Sequence, residues 1–330
     1  MDLSTKWLGL ELAHPLVAGA SPLGHHVESV KRLEGAGAAA IVLHSLFEEQ
    51  IRRETDATWS AVEGSANNSA EALSYFPDPS EFDTGAAAYL RLVEKARAAL
   101  TVPLVASLNG ASNAGWVKYA HQMETAGASA LELNIYFLAT DADDTPSAVE
   151  DRVVDIAAAV TSTVKVPVSV KLSPFHSSVP HLVRRLAAAG AKGVTLFNRF
   201  YQPDIDIEHL ETVPKLVLSE SSDLLLRLRW LALLYGRTPL SLAATGGVHR
   251  PEDAVKAIMA GADVVQTASA LLKHGPGYLQ TLRDGFDAWF REHDYESVAQ
   301  ARGSMSLLRC PDPAAYERAN YARILQTWRA

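Results

Sequence analysis

Two short motifs interlock along the chain, and their spacing constrains the fold more than any other feature. One is an Ala-Gly-Ala triplet, found as Ala36-Gly37-Ala38, Ala126-Gly127-Ala128, Ala189-Gly190-Ala191 and Ala260-Gly261-Ala262. Each follows a helix-like segment and precedes a short apolar run, such as Ala40-Ile41-Val42-Leu43. Glycine takes the left-handed conformation that ends a helix, and its small neighbours let the chain enter a buried strand. The other motif is a proline followed by an apolar run: Pro15-Leu16-Val17-Ala18, Pro103-Leu104-Val105-Ala106, Pro167-Val168-Ser169-Val170 and Pro239-Leu240-Ser241-Leu242. Proline is tolerated at the first residue of a strand. The two series alternate, so a strand–helix–strand unit of near-constant length occurs four times. Near-continuous apolar strands separated by helices predict a parallel sheet. Eight of them predict an α/β protein with a (β/α)8 TIM barrel. A doubly wound open sheet, the rival, leaves the constant unit length unexplained.

The whole chain, 1–330, reads as one barrel domain. Its excess length falls at about 45–85 and 199–236, with a smaller loop at 135–148. All three leave the C-terminal ends of strands, the face where barrel active sites lie. Helix-like stretches occur in the first two, so they read as walls or lids of a site. Residues 2–13 read as a hairpin below the barrel.

Composition narrows the classes further. Hydrophobic residues make up 48% and charged residues 21%, enough for a large core and against disorder. A net charge of −8 argues against a general nucleic-acid surface. The single cysteine, Cys310, excludes a disulfide framework, a zinc ribbon and an intrachain iron–sulfur cluster. The start of the chain does not read as a signal peptide. The most apolar stretch, Leu224 to Tyr235, contains Arg227 and Arg229 and falls short of the roughly 20 residues of a membrane span. It reads as an amphipathic helix in a soluble, cytoplasmic protein.

The strand ends supply the chemistry. In chain order they present Ala20-Ser21, His44-Ser45, Ser107-Leu108-Asn109, Asn134-Ile135-Tyr136, Lys171-Leu172-Ser173, Asn198-Arg199, Thr245-Gly246-Gly247 and Thr267-Ala268-Ser269. Barrels often hold phosphate on the loops after strands seven and eight. Gly246 and Gly247 let backbone N–H groups approach an anion, and Ala268 and Ser269 are small. Lys171 lies in a strand that should be buried, where a lysine needs a partner. It reads as a fixed positive charge facing an anion, as a lysine of altered basicity, or as half of an ion pair within the barrel. Asn134 and Asn198 offer amides to a polar ring. No metal site is expected: H-E-x-x-H is absent, and His25-His26 has no ligand partner at useful spacing.

Together with Leu8-Gly9-Leu10, His14-Pro15-Leu16, Glu132-Leu133-Asn134, Val170-Lys171-Leu172, Thr245-Gly246-Gly247-Val248, Val265-Gln266 and Gly275-Pro276, these features make the chain resemble the dihydroorotate dehydrogenases and their relatives over nearly its whole length. The resemblance implies bound FMN and an oxidoreductase acting on CH–CH groups. It implies that the phosphate meets Gly246, Gly247, Ala268 and Ser269, and that Lys171 faces the flavin to stabilise negative charge on the reduced ring. Ala20, Ser21, Ser45, Asn109, Asn134 and Asn198 would contact the cofactor. A homodimer is implied as well.

The chain also departs from the family. Where the family places a cysteine or serine base, this chain has Phe137, which cannot take a proton. The family lysine after strand two is His44, and a nearby substrate asparagine is Ala139. The resemblance points toward pyrimidine metabolism, but the departures predict a substrate site rebuilt for another small cyclic or unsaturated molecule. Asn134, Asn198, Arg199 and Phe137 are its expected substrate contacts, with Tyr75, Phe76, Tyr136, Phe200 and Tyr201 as candidate aromatic walls. Lys171, Tyr136 and His44 are the candidate catalytic groups, with His176 a further titrating candidate. The electron acceptor is left open. Two rivals remain: a non-redox phosphate-binding lyase or aldolase using Lys171, and a protein that holds FMN without turning over.

Overall fold

The computed structural model describes residues 1–48, 85–110, 112–136, 138–199, 202–317 and 319–327. It begins with an antiparallel hairpin, β1 (Thr5–Trp7) and β2 (Leu10–Leu12), turned at Leu8 and Gly9 with positive φ. The chain then alternates strand and helix. In order come β3 (Leu16–Ala18), α1 (Val27–Gly35), β4 (Ile41–Phe47), α2 (Gly85–Ala99), β5 (Leu104–Asn109), α3 (Asn113–Thr125), β6 (Ala130–Asn134), α4 (Pro146–Thr161), β7 (Val168–Leu172), α5 (Val179–Ala188) and β8 (Gly193–Leu196). A second hairpin follows, β9 (Pro203–Asp206) and β10 (Glu211–Pro214). Then come α6 (Leu224–Leu234), β11 (Ser241–Thr245), α7 (Pro251–Ala260), β12 (Val264–Thr267), α8 (Ser269–His274), α9 (Tyr278–Glu292), α10 (Val298–Ala301) and α11 (Ala319–Thr327).

Strands β3 to β8, β11 and β12 close into one parallel barrel in chain order. This is the (β/α)8 fold expected from the interlocked motifs. The four repeated glycines end α1, α3, α5 and α7 with φ between 92° and 128°, which explains why glycine recurs there. One part of the long 199–236 segment differs from expectation. Its first half forms the β9–β10 hairpin, where Ile205 and Thr212 pair between flanking prolines, and only its second half is helical. The expected insertion at 45–85 lies outside the described residues after Glu48.

The first hairpin plugs the bottom of the barrel. Trp7 is fully buried and clusters with Val17, Val105, Ala130, Ala243 and Val264, the lowest inward-facing layer. The Leu8 N–H donates to Ser241 Oγ at 3.0 Å, and Thr5 Oγ1 donates to the Asp263 carbonyl at 2.9 Å. Gly193 has no side chain because Leu8 fills the space: a Cβ there would lie 2.4 Å from Leu8 Cδ2. The larger apolar cluster lies between the outer face of the barrel and its helices, as alternation along the strands requires.

His14, just before β3, is 8% exposed. Its Nδ1 accepts the Leu16 N–H at 3.3 Å, and the ring also bonds to the Gly37 backbone. Burial first, and then the Arg283 charge, push it down to about 4. The folded state therefore holds fewer protons than the unfolded state between about pH 6.5 and 4, and stability falls as pH falls through that window. The burden is of order 3 kcal/mol from His14. A His14→Asn variant should show a smaller loss of stability between these pH values in urea titrations. An unchanged pH slope would contradict the assignment.

Candidate active site

The barrel interior changes character from bottom to top. Above the apolar layer lie four inward residues with no exposed surface: Glu132 on β6, Ser169 on β7, Thr195 on β8 and Gln266 on β12. Glu132 Oε2 accepts from Gln266 Nε2 at 2.8 Å and from Thr195 Oγ1 at 3.0 Å. Thr195 Oγ1 in turn lies 3.2 Å from Ser169 Oγ. Lys171, two residues beyond Ser169 on the same face, brings its Nζ to 3.5 Å from Glu132 Oε1. A charge inside a barrel needs such compensation, and here the carboxylate is itself held by two further side chains. Lys171 tops this column and lines the cavity above it.

That cavity, about 1230 Å³, opens among the C-terminal strand ends. A second polar string crosses its floor. Asn198 Nδ2 donates to Asn134 Oδ1, Asn134 Nδ2 donates to Ser45 Oγ at 3.1 Å, and Ser45 Oγ lies 2.8 Å from Ser107 Oγ. A register shift in β4 between Val42 and Ser45 sets Ser45 opposite Ser107. Buried Tyr89 of α2 clamps the same strand ends, its hydroxyl 2.9 Å from the His44 carbonyl and 3.1 Å from that of Ser107. Burial pushes the proton affinity of that phenol up.

On the β3 and β4 side the cavity is lined by His25, His26 and His44. The His25 and His44 ring centroids are 4.0 Å apart, and Tyr89 meets His44 edge-on at 5.0 Å. His44 Nδ1 lies 3.2 Å from the Gly24 carbonyl, to which it donates, leaving Nε2 as the acceptor nitrogen. Burial first, and then the nearby His25, push His44 down to about 4. His25 is lowered by burial and by His26. At neutral pH this wall carries no histidine charge from His44. Among the described residues no group of three His, Cys, Asp or Glu could hold a metal ion.

At the end of β11 the cavity meets Gly246 and Gly247, with φ of 84° and 89°. A side chain is impossible at Gly247, where a Cβ would lie 2.4 Å from the Leu224 backbone nitrogen. The Gly247 N–H donates to Ser219 Oγ at 3.2 Å, and the Ser219 N–H donates to Ser269 Oγ at 3.2 Å. Ser219 thus bridges the two loops expected to cradle phosphate. Two cations also line the cavity, Arg199 and Arg227.

Of the residues singled out in the sequence, Ala20, Ser21, His44, Ser45, Asn134, Lys171, Asn198, Arg199, Gly246, Gly247, Ala268 and Ser269 all line this one cavity. Asn109 does not. It is buried at the end of β5. Tyr136 is half-buried and also stands outside the lining, because the chain leaves β6 after Asn134. Phe137, Tyr75, Phe76, Phe200 and Tyr201 lie outside the described residues. Sequence reasoning assigns no role in the site to Glu132, Gln266, Ser219 or Arg227. The first two were legible as polar residues inside apolar strands. Ser219 carried no signal, and Arg227 showed only as a charge interrupting an apolar helix.

Fold and site together define a (β/α)8 barrel with a polar, cation-bearing cleft on its C-terminal face. The family model for dihydroorotate dehydrogenase matches residues 82–289, and the chain belongs to that family. It is 27% identical to the catalytic subunit of dihydroorotate dehydrogenase B (NAD(+)) from Thermoplasma volcanium, over 92% of this chain and 98% of that protein. It is 28% identical to the protein of the same name from Methanosarcina acetivorans, over 92% of this chain and 98% of the other. Dihydroorotate dehydrogenase A (fumarate) of Limosilactobacillus reuteri is 25% identical, over 81% of this chain and 87% of its own length.

The Glu132–Lys171 pair yields a direct test. Breaking a buried pair leaves an uncompensated charge, which typically costs about 3–5 kcal/mol. Glu132→Gln and Lys171→Met should each destabilise the protein on that scale in urea unfolding, and the double variant should lose clearly less than the sum. Additive losses would show that the two groups are not coupled.

Proposed function

We propose that the chain is an FMN-dependent oxidoreductase of the dihydroorotate dehydrogenase type, with a substrate site altered from that of its relatives. The observation that carries this reading is the single cavity with Lys171, Asn134 and Asn198 on its floor and the Gly246–Gly247 turn on its wall. The residues present fit FMN. The volume exceeds the ~300–1,000 Å³ of typical small-ligand sites, the glycine turn admits an anion, and Gln266 Oε1 is buried at the floor with no hydrogen-bond partner. Bound FMN supplies the centre that takes up or gives a hydride. Lys171, held at the floor by Glu132, would favour negative charge on the reduced ring. This fixed pairing favours an electrostatic role for Lys171 over that of a Schiff-base nucleophile. Asn134 and Asn198 orient a polar ring through their remaining amide positions.

Three features support an altered substrate. By the sequence resemblance, Phe137 falls at the position of the family's cysteine or serine base. His44, pushed down to about 4, is too weakly basic to serve as an efficient general base near neutral pH; it lines and positions. Tyr136 stands outside the cavity lining. Solvent water is then the proton carrier we assign, and Arg199 the contact for a substrate anion. The acceptor is a diffusing molecule or a further subunit; the names of relatives carry NAD(+) and fumarate. We propose a soluble, cytoplasmic homodimer, each chain a single domain. Among the described residues no helix is long and apolar enough to cross a membrane.

The test is the visible absorbance of purified protein supplied with FMN, before and after dihydroorotate is added without oxygen. A flavin band that persists supports the reading. Bleaching by dihydroorotate would overturn the altered substrate site, and no bound flavin would overturn the cofactor.

A further inference from the structure

Arg227 has no place in the reading above. It stands in the first turn of α6 and is only 9% exposed. Its Nε donates to the Thr245 carbonyl at 3.0 Å and its Nη1 to the Asp223 carbonyl at 2.8 Å. Both acceptors are neutral backbone. No carboxylate lies within ion-pair distance of the guanidinium among the described residues, and Nη2 has no hydrogen bond there. That Nη2 points to the glycine turn: a Cβ on Gly246 would sit 3.1 Å from it. Arg199, on the same cavity, likewise has no hydrogen bond or ion pair among the described residues. Burial and the Arg199 charge both disfavour the charged form of Arg227, and only the field of Asp223 supports it. Two neighbouring guanidinium groups, one of them nine-tenths buried, are held without a counter-charge in contact. A buried charge of this kind is costly unless paired.

We infer that Arg227 is a side-chain ligand for a phosphoryl group seated at Gly246. A phosphate monoester suits the arrangement better than a carboxylate. Its tetrahedral oxygens can meet the flat guanidinium fork and still leave acceptors for other donors around the turn, where the Gly247 N–H is already engaged by Ser219 Oγ. Arg227 is also anchored at both ends to α6 and β11, so its fork is already oriented before the ligand arrives. The inference rests on the FMN reading for the identity of the phosphoryl group, but not for the anion site itself.

The experiment compares equilibrium binding of FMN and of riboflavin, which lacks the phosphate, to wild type, Arg227→Met and Arg227→Lys. Inorganic phosphate is tested in parallel as a competitor and by thermal unfolding. A charge-assisted bond predicts at least about a tenfold loss of FMN affinity in Arg227→Met. Riboflavin affinity should be unchanged, Arg227→Lys should fall between, and stabilisation by phosphate should weaken in Arg227→Met. Equal FMN affinity in wild type and Arg227→Met would overturn the inference. So would an equal loss for riboflavin, the mark of a merely structural arginine, or a wild type indifferent to both FMN and phosphate. If wild type binds no flavin yet phosphate stabilises it through Arg227, the anion site stands and the cofactor reading alone fails.

Discussion

Glu132 and Lys171 face each other across two adjacent barrel strands, and the site is arranged around that contact. Neither charge could occupy the barrel alone. The carboxylate is satisfied from below and beside by Thr195 and Gln266, which leaves one oxygen for Lys171. The pair sits between an apolar lower layer, sealed by Trp7 and the first hairpin, and a wide polar cavity above. It therefore converts a packed barrel core into a floor that presents positive charge upward. Strand alternation explains the geometry: Ser169 and Lys171 share one face of β7, as Glu132 and Asn134 share one face of β6.

The two sides of the cavity differ in electrostatics. One holds Lys171, Arg199 and Arg227 together with a glycine turn. The other holds three histidines, of which His44 is held neutral by burial and by its neighbour. An elongated ligand with an anionic end and an uncharged polar ring matches that asymmetry. Ser219 ties the two loops at the anionic end together, its hydroxyl accepting the Gly247 N–H and its own N–H donating to Ser269 Oγ.

Much of this was legible in the sequence because it obeyed local rules. Prolines marked strand entry, and glycines marked the helix ends that need positive φ. The site residues at strand ends then followed from the fold. What escaped depended on contacts distant in sequence. Nothing local distinguishes Arg227, which reaches the cavity only because α6 packs beside β11, from Arg229, which stays exposed. The approach of His25 to His44 depends on how the β3 loop folds back over β4. Asn109 and Tyr136 are expected at the site from their position at or just past a strand end alone, and neither lines the cavity. The hairpin within 199–236 was masked by the helical α6 that follows it.

The central claim is that Lys171 is a fixed charge acting on a bound flavin. The most direct measurement is the midpoint potential of FMN bound to wild type and to Lys171→Met. A cation beside the ring favours the reduced form, so wild type should show the more positive potential. Equal potentials, or a higher value in the variant, would contradict the account.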